Sequence, residues 1–546
     1  MTFLSALLLA LFITVTLIPL LKTAALRYNA VDMPGERKVH LHPIPRVGGL
    51  AMALGILLPV LFWAPMNGFG RALLSGAGII VLFALLDDVI NLGYRPKFLG
   101  QIMAALCVVL YGGLQVRSLG SLLPAGMVLP APAAILLTCF LIVAATNAIN
   151  LSDGLDGLAG GISLLMFICI GFISYSHHLL LAVFVSVAVA GAIFGFLRYN
   201  THPAVIFMGD TGSQLLGFLA MCLSIWISQS VDGLNKMLPL VLLGFPFIDT
   251  LVVMVERILR GDSPFKADKN HLHHKLMRLG LYHSEAVVSV YMHQAVLVSA
   301  AFLLRYRSEE VLLVFYLVFA AIVIVGSTAT DQLGWQIPRF DLVDRVIKGR
   351  LRALREEAVL IKVSFSITER LTPALLWITC IIMDPPPSYF ALVCLVVGAA
   401  LAVSALTGRS WLSPLLRLGL YVCMPFLIYQ CTACMEHQLP VLLKHAFNIT
   451  HGALAFFVIL TLKFTRRRKG FRVTPMDFLV LFVAVVMPYF PNPYLQGMHM
   501  GIVATRIVVM IFSYEVLIGE LRGELRGQSL VAAGALMYAA SRGLLA

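Results

Sequence analysis

Residues 147–161 read NAINLSDGLDGLAGG, and the reading of this stretch decides what kind of chain this is. It closes a long apolar run with two carboxamides, Asn147 and Asn150, and two carboxylates, Asp153 and Asp156. Ionisable groups where a chain otherwise suits lipid are costly and mark function. Continued as a helix, the stretch sets Asn150, Asp153 and Asp156 three residues apart on one face, so one strip presents its oxygen ligands together. Hard oxygen donors of this kind suit Mg²⁺, with Mn²⁺ as the alternative, and the phosphates such ions neutralise. Gly154, Gly157, Gly160 and Gly161 would admit close helix packing on their own, but packing requires no carboxylate.

Outward from this stretch the chain keeps the same character. Of its 546 residues, 60% are hydrophobic and only 12% are charged, with a mean hydropathy of +0.92. Soluble domains stay near roughly half apolar. The expected fold class is therefore all-α, a polytopic integral membrane protein. Counting apolar runs of about 20 residues gives about 11 spans before residue 330 and about 6 or 7 after residue 370. The first run, residues 3–21, lacks a basic leader and a small-residue cleavage site, so it reads as a retained span. The net charge of +13 sits in short loops, which suits anionic membrane lipids and gives no stripe for nucleic acid. Nine cysteines, mostly scattered singly, give no disulfide framework. The Cys431-Thr-Ala-Cys434 pair has no second pair to make a redox or metal motif.

Basic residues also orient the spans. Lys22, Arg27, Arg37, Lys38 and Arg46 make the first loop cytoplasmic, which puts the N-terminus outside. Alternation then brings five polar stretches to the cytoplasmic face: this loop, Asp87-Asp88 with Arg95 and Lys97, residues 147–161, residues 198–213 containing MGDTGS, and residues 256–285. The last stretch is the most polar of the first 330 residues and holds Arg257, Arg260, Lys266, Asp268, Lys269, His271, His273, His274 and Lys275. Because the topology was set by basic residues and hydropathy, convergence of the acidic and histidine-rich stretches is a partly independent result.

The shared inventory is acidic at Asp87, Asp88, Asp153, Asp156 and Asp210, and basic at Arg37, Lys38, Arg46, Arg260, Lys266 and the histidines. Carboxylates for a divalent ion and cations for phosphate oxygens are the parts of phosphoryl transfer, where catalysis is largely positioning and charge neutralisation. Asp87 and Asp88, about 100° apart on a helix, cannot both face one atom. One is free to face the metal and the other an acceptor phosphate. Asp210 stands where a span begins, so helix capping alone would account for it, while its flanking glycines permit close approach to an anion. In His271-Leu-His273-His274, recognition of a diphosphate or an acid–base role fits better than zinc, which would call for a further ligand at longer reach.

These pieces together resemble the polyprenyl-phosphate N-acetylhexosamine-1-phosphate transferases, the membrane family that includes the enzyme starting enterobacterial common antigen and O-antigen synthesis and the phospho-MurNAc-pentapeptide translocase. The matching residues are Arg37-Lys38, His40, Pro45 and Gly48-Gly49, then Asp87-Asp88, NAINLSDGLDGLAGG, MGDTGS and DKNHLHHKL. Leu272 interrupts the histidine run, which is closer to the N-acetylglucosamine branch than to the pentapeptide-handling one. The resemblance implies transfer of a sugar 1-phosphate, N-acetylglucosamine 1-phosphate first among the candidates, from a UDP-sugar to undecaprenyl phosphate with release of UMP. It implies Mg²⁺ on Asp210 and Asn150, Asp87 and Asp88 at the lipid-phosphate end, and Asp153 and Asp156 at the nucleotide and catalytic centre. It also implies donor binding by His271, His273 and His274, with Lys38, His40, Asn147 and Arg260 contributing. The setting it implies is the bacterial inner membrane, with the site on the cytoplasmic face.

Beyond residue 330 the resemblance stops. Residues 331–371 read as a cytoplasmic connector with an amphipathic, surface-lying helix, and residues 372–546 as additional spans. Helix packing, homodimer formation, and docking with a later glycosyltransferase or a flippase are all open readings for that region. A different class, an ion-coupled transporter, would place polar residues at span midpoints and on both faces. The charges gather at one face instead.

Overall fold

The computed structural model describes residues 2–27, 31–32, 43–124, 126–261, 271–332, 359–407, 412–438, 440–464, 500–521 and 525–545. These residues are almost entirely helical; the only strand pairing among them is a two-residue antiparallel pair, β1 (Val31–Asp32) with β2 (Ile44–Pro45). Among the described residues, twelve helices are long and apolar enough to cross a bilayer. The chain is a multi-pass membrane protein. Its outward faces agree: Leu136 is 72% and Phe140 67% exposed, an arrangement that water would penalise and lipid does not.

The described residues divide into two compact units, one ending at Gln332 and the other starting at Val359. In the first, the helices are α1 (Thr2–Arg27), α2 (Gly48–Trp63), α3 (Gly68–Ile90), α4 (Tyr94–Leu106), α5 (Ala131–Ser152), α6 (Leu158–Ser176) and α7 (Leu180–Asn200). There follow α8 (Gly209–Ser230), α9 (Leu238–Leu242), α10 (Gly244–Leu259), α11 (Leu272–Arg278), α12 (His283–Leu303) and α13 (Glu309–Gln332). All 11 apolar runs of this part of the sequence form helix. Eight are full-length spans and α2 is a shorter apolar helix. The other two are interrupted: α4 widens into a π-turn over Cys107–Tyr111, and the run from residue 238 breaks at Leu243 between α9 and α10.

Helix α8 is the centre of this unit, with 94% of its apolar window buried, whereas α13 at 11% is peripheral. Around α8 pack α3, α5, α2 and α6. Two helix ends matter for function. Helix α3 runs past Asp87 and Asp88 before Asn91, at φ 50°, turns the chain out in the left-handed conformation. Helix α5 stops at Ser152, with Asp153 as its C-cap residue at φ −80° and ψ 52°. The single strip expected through Asn150, Asp153 and Asp156 is thus broken. Asn147 and Asn150 share a helix, while both aspartates lie on the turn to α6, because Gly157 at φ 83° ends any continuous helix there.

The second unit holds α14 (Val359–Ile382), α15 (Ser388–Thr407), α16 (Leu412–Gln438), α17 (Val441–Phe464), α18 (Met500–Glu520) and α19 (Arg526–Leu545). Its core includes Leu376, Cys394, Leu427 and Leu536. Helix α14 is continuous through residues 359–371, so the end of the expected connector is already part of a span, and residues 333–358 lie outside the described residues. The α14 C-terminus is closed by Arg542, which donates to the carbonyls of Ile381 and Met383 at 2.8 and 2.7 Å. Cys431 and Cys434 are buried free thiols.

Candidate active site

The site is assembled at helix ends. Phe207 N–H donates to Pro45 O, Gly48 N–H to Phe207 O and Gly49 N–H to Met208 O, at 2.8, 3.0 and 2.8 Å, so the entry to α2 is laced to the entry to α8. Gly49 and Gly212 touch backbone to backbone, leaving no space for a Cβ. Gly209, at φ 69°, turns the chain into α8 between Arg46 O and the Asp88 carboxylate. Asp88 then caps α8 from another helix. Its Oδ1 accepts from Asp210 N–H at 2.8 Å, and its Oδ2 from Thr211 N–H at 3.0 Å and Thr211 Oγ1 at 2.6 Å. A carboxylate satisfies the free amides and the positive end of that helix. Sequence alone suggested that Asp210 caps the helix; Asp88 does so, and Asp210 is released for other contacts.

Those contacts converge from four helices. Lys97 Nζ, on α4, lies 2.6 Å from Asp87 Oδ2 on α3 and 2.7 Å from Asp210 Oδ2 on α8. Gln214 Nε2 donates to the same Asp210 oxygen at 3.0 Å, and Asn150 Nδ2 on α5 approaches it at 3.5 Å. Asn150 Oδ1 accepts from Ser213 Oγ at 2.7 Å. Behind this layer, Gln101 joins Gln214 at 3.1 Å, and Asn147 Nδ2 donates to Gln101 Oε1 at 2.6 Å. Asn147 therefore acts through a relay of carboxamides that ends on Asp210. Asp87 is 6% exposed, and its second oxygen, Oδ1, is buried with no hydrogen-bond partner. Such an orphaned acceptor, on a carboxylate that shares Lys97 with Asp210, is the environment a hard divalent cation fits.

The turn after α5 forms the adjoining wall. Asp156 Oδ2 accepts from His202 Nδ1 at 2.7 Å and Ala204 N–H at 3.1 Å, while the Asp156 amide donates to His283 Nε2 at 3.0 Å. The two imidazoles stack with centroids 4.1 Å apart. Asp156, His202 and His283 offer ligand atoms within 4.8 Å of one another, but hydrogen bonds among these groups already use those atoms. Burial raises the Asp156 pKa, yet the His202 hydrogen bond, the Ala204 amide and the nearby His283 outweigh it and hold the carboxyl below its usual range. Gly157 is pinned between Asn200 Oδ1, which accepts its amide at 2.8 Å, and Tyr291 Oη, which donates to its carbonyl at 2.6 Å.

Asp153 is different. Among the described residues its side chain accepts no hydrogen bond. Burial first, then the charges of Asp210, Asp88 and Asp156, push its pKa up to about 7. The histidine segment closes over this turn, since a Cβ on Gly154 would strike the His273 imidazole. His271 Nδ1 pairs with Asp249 Oδ2 at 2.9 Å, and Leu272 N–H donates to Asp249 Oδ1 at 2.6 Å. His273, 3% exposed, stacks on His271 and meets the His274 ring at a 45° tilt. Its burial, opposed by Asp249 and reinforced by His274, His271 and His283, lowers its pKa to about 3, so it is neutral at working pH. His274 is half-buried, and Arg260 is bound to Glu256 one turn back.

The structure thus brings Asp87, Asp88, Asn147, Asn150 and Asp210 into one network and sets Asp153, Asp156, His271, His273 and His274 along its wall. Lys38 and His40 lie outside the described residues. Sequence reading set Lys97 on the same face but gave it no role, and it missed Gln101, Gln214, His202, His283 and Asp249. Asp249 carried a usable signal, a carboxylate inside an apolar run, and Lys97 and Gln101 sit one turn apart at the mouth of another. Nothing local distinguished His202 or His283.

Comparison with known proteins bears on the same residues. The model of glycosyl transferase family 4 matches residues 71–228, which carry Asp87, the 147–161 stretch and Asp210. A Bacillus subtilis protein named "Probable undecaprenyl-phosphate N-acetylglucosaminyl 1-phosphate transferase" is 36% identical over 318 residues, covering 57% of this chain and 87% of its own length. Decaprenyl-phosphate N-acetylglucosaminephosphotransferase of Mycolicibacterium smegmatis is 36% identical over 304 residues, 50% of this chain and 74% of that one. Undecaprenyl-phosphate alpha-N-acetylglucosaminyl 1-phosphate transferase of Escherichia coli K12 is 30% identical over 345 residues, 61% of this chain and 91% of that protein.

Proposed function

Because this chain belongs to the glycosyl transferase family 4 polyprenyl-phosphate N-acetylglucosamine-1-phosphate transferases, we infer that it transfers N-acetylglucosamine 1-phosphate from UDP-N-acetylglucosamine to undecaprenyl or another polyprenyl phosphate, releasing UMP. One observation carries the mechanistic reading: Asp87, Lys97, Asn150 and Asp210 reach one point from four helices, within 2.6–3.5 Å of their neighbours. The reaction makes a lipid-linked sugar, the first intermediate of an envelope polysaccharide.

In this reading an oxygen of the lipid phosphate attacks the phosphorus that bears the sugar, and the bond to the UMP oxygen breaks. A phosphate monoester is already largely ionised near neutrality, so attack needs little general-base help and a single displacement suffices. Asp210 and Asn150, with Asp87 beside them, are the residues that would hold Mg²⁺. Bound there, the ion supplies charge neutralisation for the diphosphate. Asp88 positions Asp210 through the first turn of α8 rather than meeting the lipid phosphate itself. Lys97, shared by two carboxylates, is placed to meet a phosphate oxygen when the site fills. Asp153, whose carboxyl titrates near neutrality and has no protein partner among the described residues, is the group open to the donor. The many basic residues of the loops at these helix ends support a cytoplasmic-facing site in a bacterial inner membrane.

The test is direct. Purified protein in detergent is given undecaprenyl phosphate, Mg²⁺ and each of several UDP-sugars, and UMP is measured. UDP-N-acetylglucosamine is expected to give the fastest release. UMP from another UDP-N-acetylhexosamine alone would reassign the sugar, and none from any donor would end the reading.

A further inference from the structure

Helix α10 carries a carboxylate that the reaction as described above does not use. Asp249 is 3% exposed, in the first half of a helix whose neighbouring residues are Phe247, Ile248, Leu251 and Val252. Both of its oxygens are committed to the start of the histidine segment: Oδ2 to His271 Nδ1 at 2.9 Å and Oδ1 to the Leu272 amide at 2.6 Å. His271 is 7% exposed, so the pair is shielded from water and the bond is not in competition with it. The rings of His271 and His273 lie nearly parallel, 9° apart with centroids at 5.6 Å, and His273 in turn rests on Gly154 of the catalytic turn.

Resting on the functional reading above, we propose that Asp249 is a positioning residue for donor binding, holding the His271 proton on Nδ1 and aiming the Nε2 edge of the ring at the diphosphate of the UDP-sugar. The chemistry follows from the imidazole. With Nδ1–H fixed on a carboxylate, Nε2 is the edge that meets a ligand, and the charge of Asp249 stabilises the ring when it carries a second proton and donates to a phosphate oxygen. The second oxygen fixes the backbone at Leu272, so one residue sets both the turn of the chain and the ring plane. The stacked His273 is carried along, which ties the catalytic turn to the same anchor. A neutral amide at residue 249 would still accept from Leu272 N–H. Its NH₂ would then face Nδ1 and force the opposite tautomer.

The experiment is a double-mutant cycle with Asp249→Asn, His271→Asn and the pair, in full-length protein, reading UMP release from UDP-N-acetylglucosamine with a melting curve for each variant. His271→Asn keeps a donor for Asp249 and so preserves the buried bond. Asp249→Asn is expected to lower kcat/KM for the UDP-sugar by about 10- to 100-fold, the range for loss of a carboxylate behind a working histidine. KM for undecaprenyl phosphate should stay within about 3-fold, and the double variant should be no worse than His271→Asn by more than about 3-fold, because the two residues act as a unit. Wild-type kcat/KM in Asp249→Asn, or losses that multiply in the pair, would overturn the proposal, the latter pointing to a structural role alone. If Asp249→Asn does not accumulate as folded protein, Asp249→Ser, which also removes the carboxylate, takes its place in the same cycle with the same expectation. A wild-type protein that releases no UMP would instead refute the functional reading itself.

Discussion

Replacing Asp88 with asparagine tests whether this carboxylate builds the site or touches substrate. In the native arrangement it accepts three hydrogen bonds, from Asp210 N–H, Thr211 N–H and Thr211 Oγ1. An asparagine keeps one oxygen, which retains one amide, and its NH₂ is met by the Thr211 hydroxyl turned round as an acceptor. One backbone donor is left buried and unpaired, and two charge-assisted bonds become neutral. At about 1–3 kcal/mol for the orphaned donor and about 1 kcal/mol for each weakened bond, less some relief of repulsion with Asp210, the expected cost is about 2–4 kcal/mol. For a unit of about 330 residues that corresponds to a fall in melting midpoint of roughly 3–6 °C. Because Asp210 sits on the turn that Asp88 holds, a displacement near 1 Å is enough to slow transfer by about 10²-fold. Differential scanning fluorimetry in detergent and UMP release, run on one preparation, should therefore fall together. A variant with wild-type melting and no activity would refute the capping argument and return Asp88 to the lipid phosphate.

Asp210→Asn should abolish transfer while the protein remains folded, since the Asp88 cap uses the Asp210 amide and not its side chain; near-normal turnover would remove Asp210 from the site. Exhaustive EDTA treatment should stop the reaction and Mg²⁺ or Mn²⁺ restore it, and full activity in EDTA would contradict the proposed ion. The raised pKa of Asp153, about 7, has two consequences of opposite sign. Activity should decline as pH falls through about 7 and the carboxylate is protonated, while this group's contribution to stability rises from there towards the ordinary carboxylate value near 4, because the folded state binds the extra proton. Parallel rate and melting profiles in wild type and Asp153→Asn check this, and an unaltered acid limb in the variant would count against it. A chain ending near Ser327 should retain basal transfer, and a folded but inert truncation would make the second unit part of the catalytic apparatus.

Much of the fold was legible because lipid imposes a simple rule on sequence: an apolar run of sufficient length becomes a helix, and its neighbours alternate. Even the interrupted segments at 94–111 and 238–259 appeared as apolar runs, though the π-turn and the break at Leu243 left no trace that hydropathy reads. Helix ends were less accessible. The acidic residues Asp87 and Asp88 look like the outside of a span, yet the C-cap at Asn91 keeps them helical. In the site, the groups with charge or motif character were visible and their partners were not. A carboxamide such as Gln101 is an ordinary residue until Asn147 and Gln214 are seen beside it. Likewise the division of labour between Asp88 and Asp210 depends on how α3 meets α8, a long-range contact that spacing along the chain does not encode.

The crossing of Gly49 and Gly212 bears on how this enzyme tolerates change. A randomised library selected for function should return glycine alone at residue 49, because the backbone of Gly212 and Met208 occupies the space a methyl group would need, whereas at residue 212 the Met208 side chain shares that space with Gly49 Cα and has some freedom to yield. Suppressors elsewhere would have to shift a whole helix. Gly68 and Gly78 on α3 have open surroundings and should accept alanine freely. The contrast offers a way to raise helix propensity for structural work without disturbing turnover.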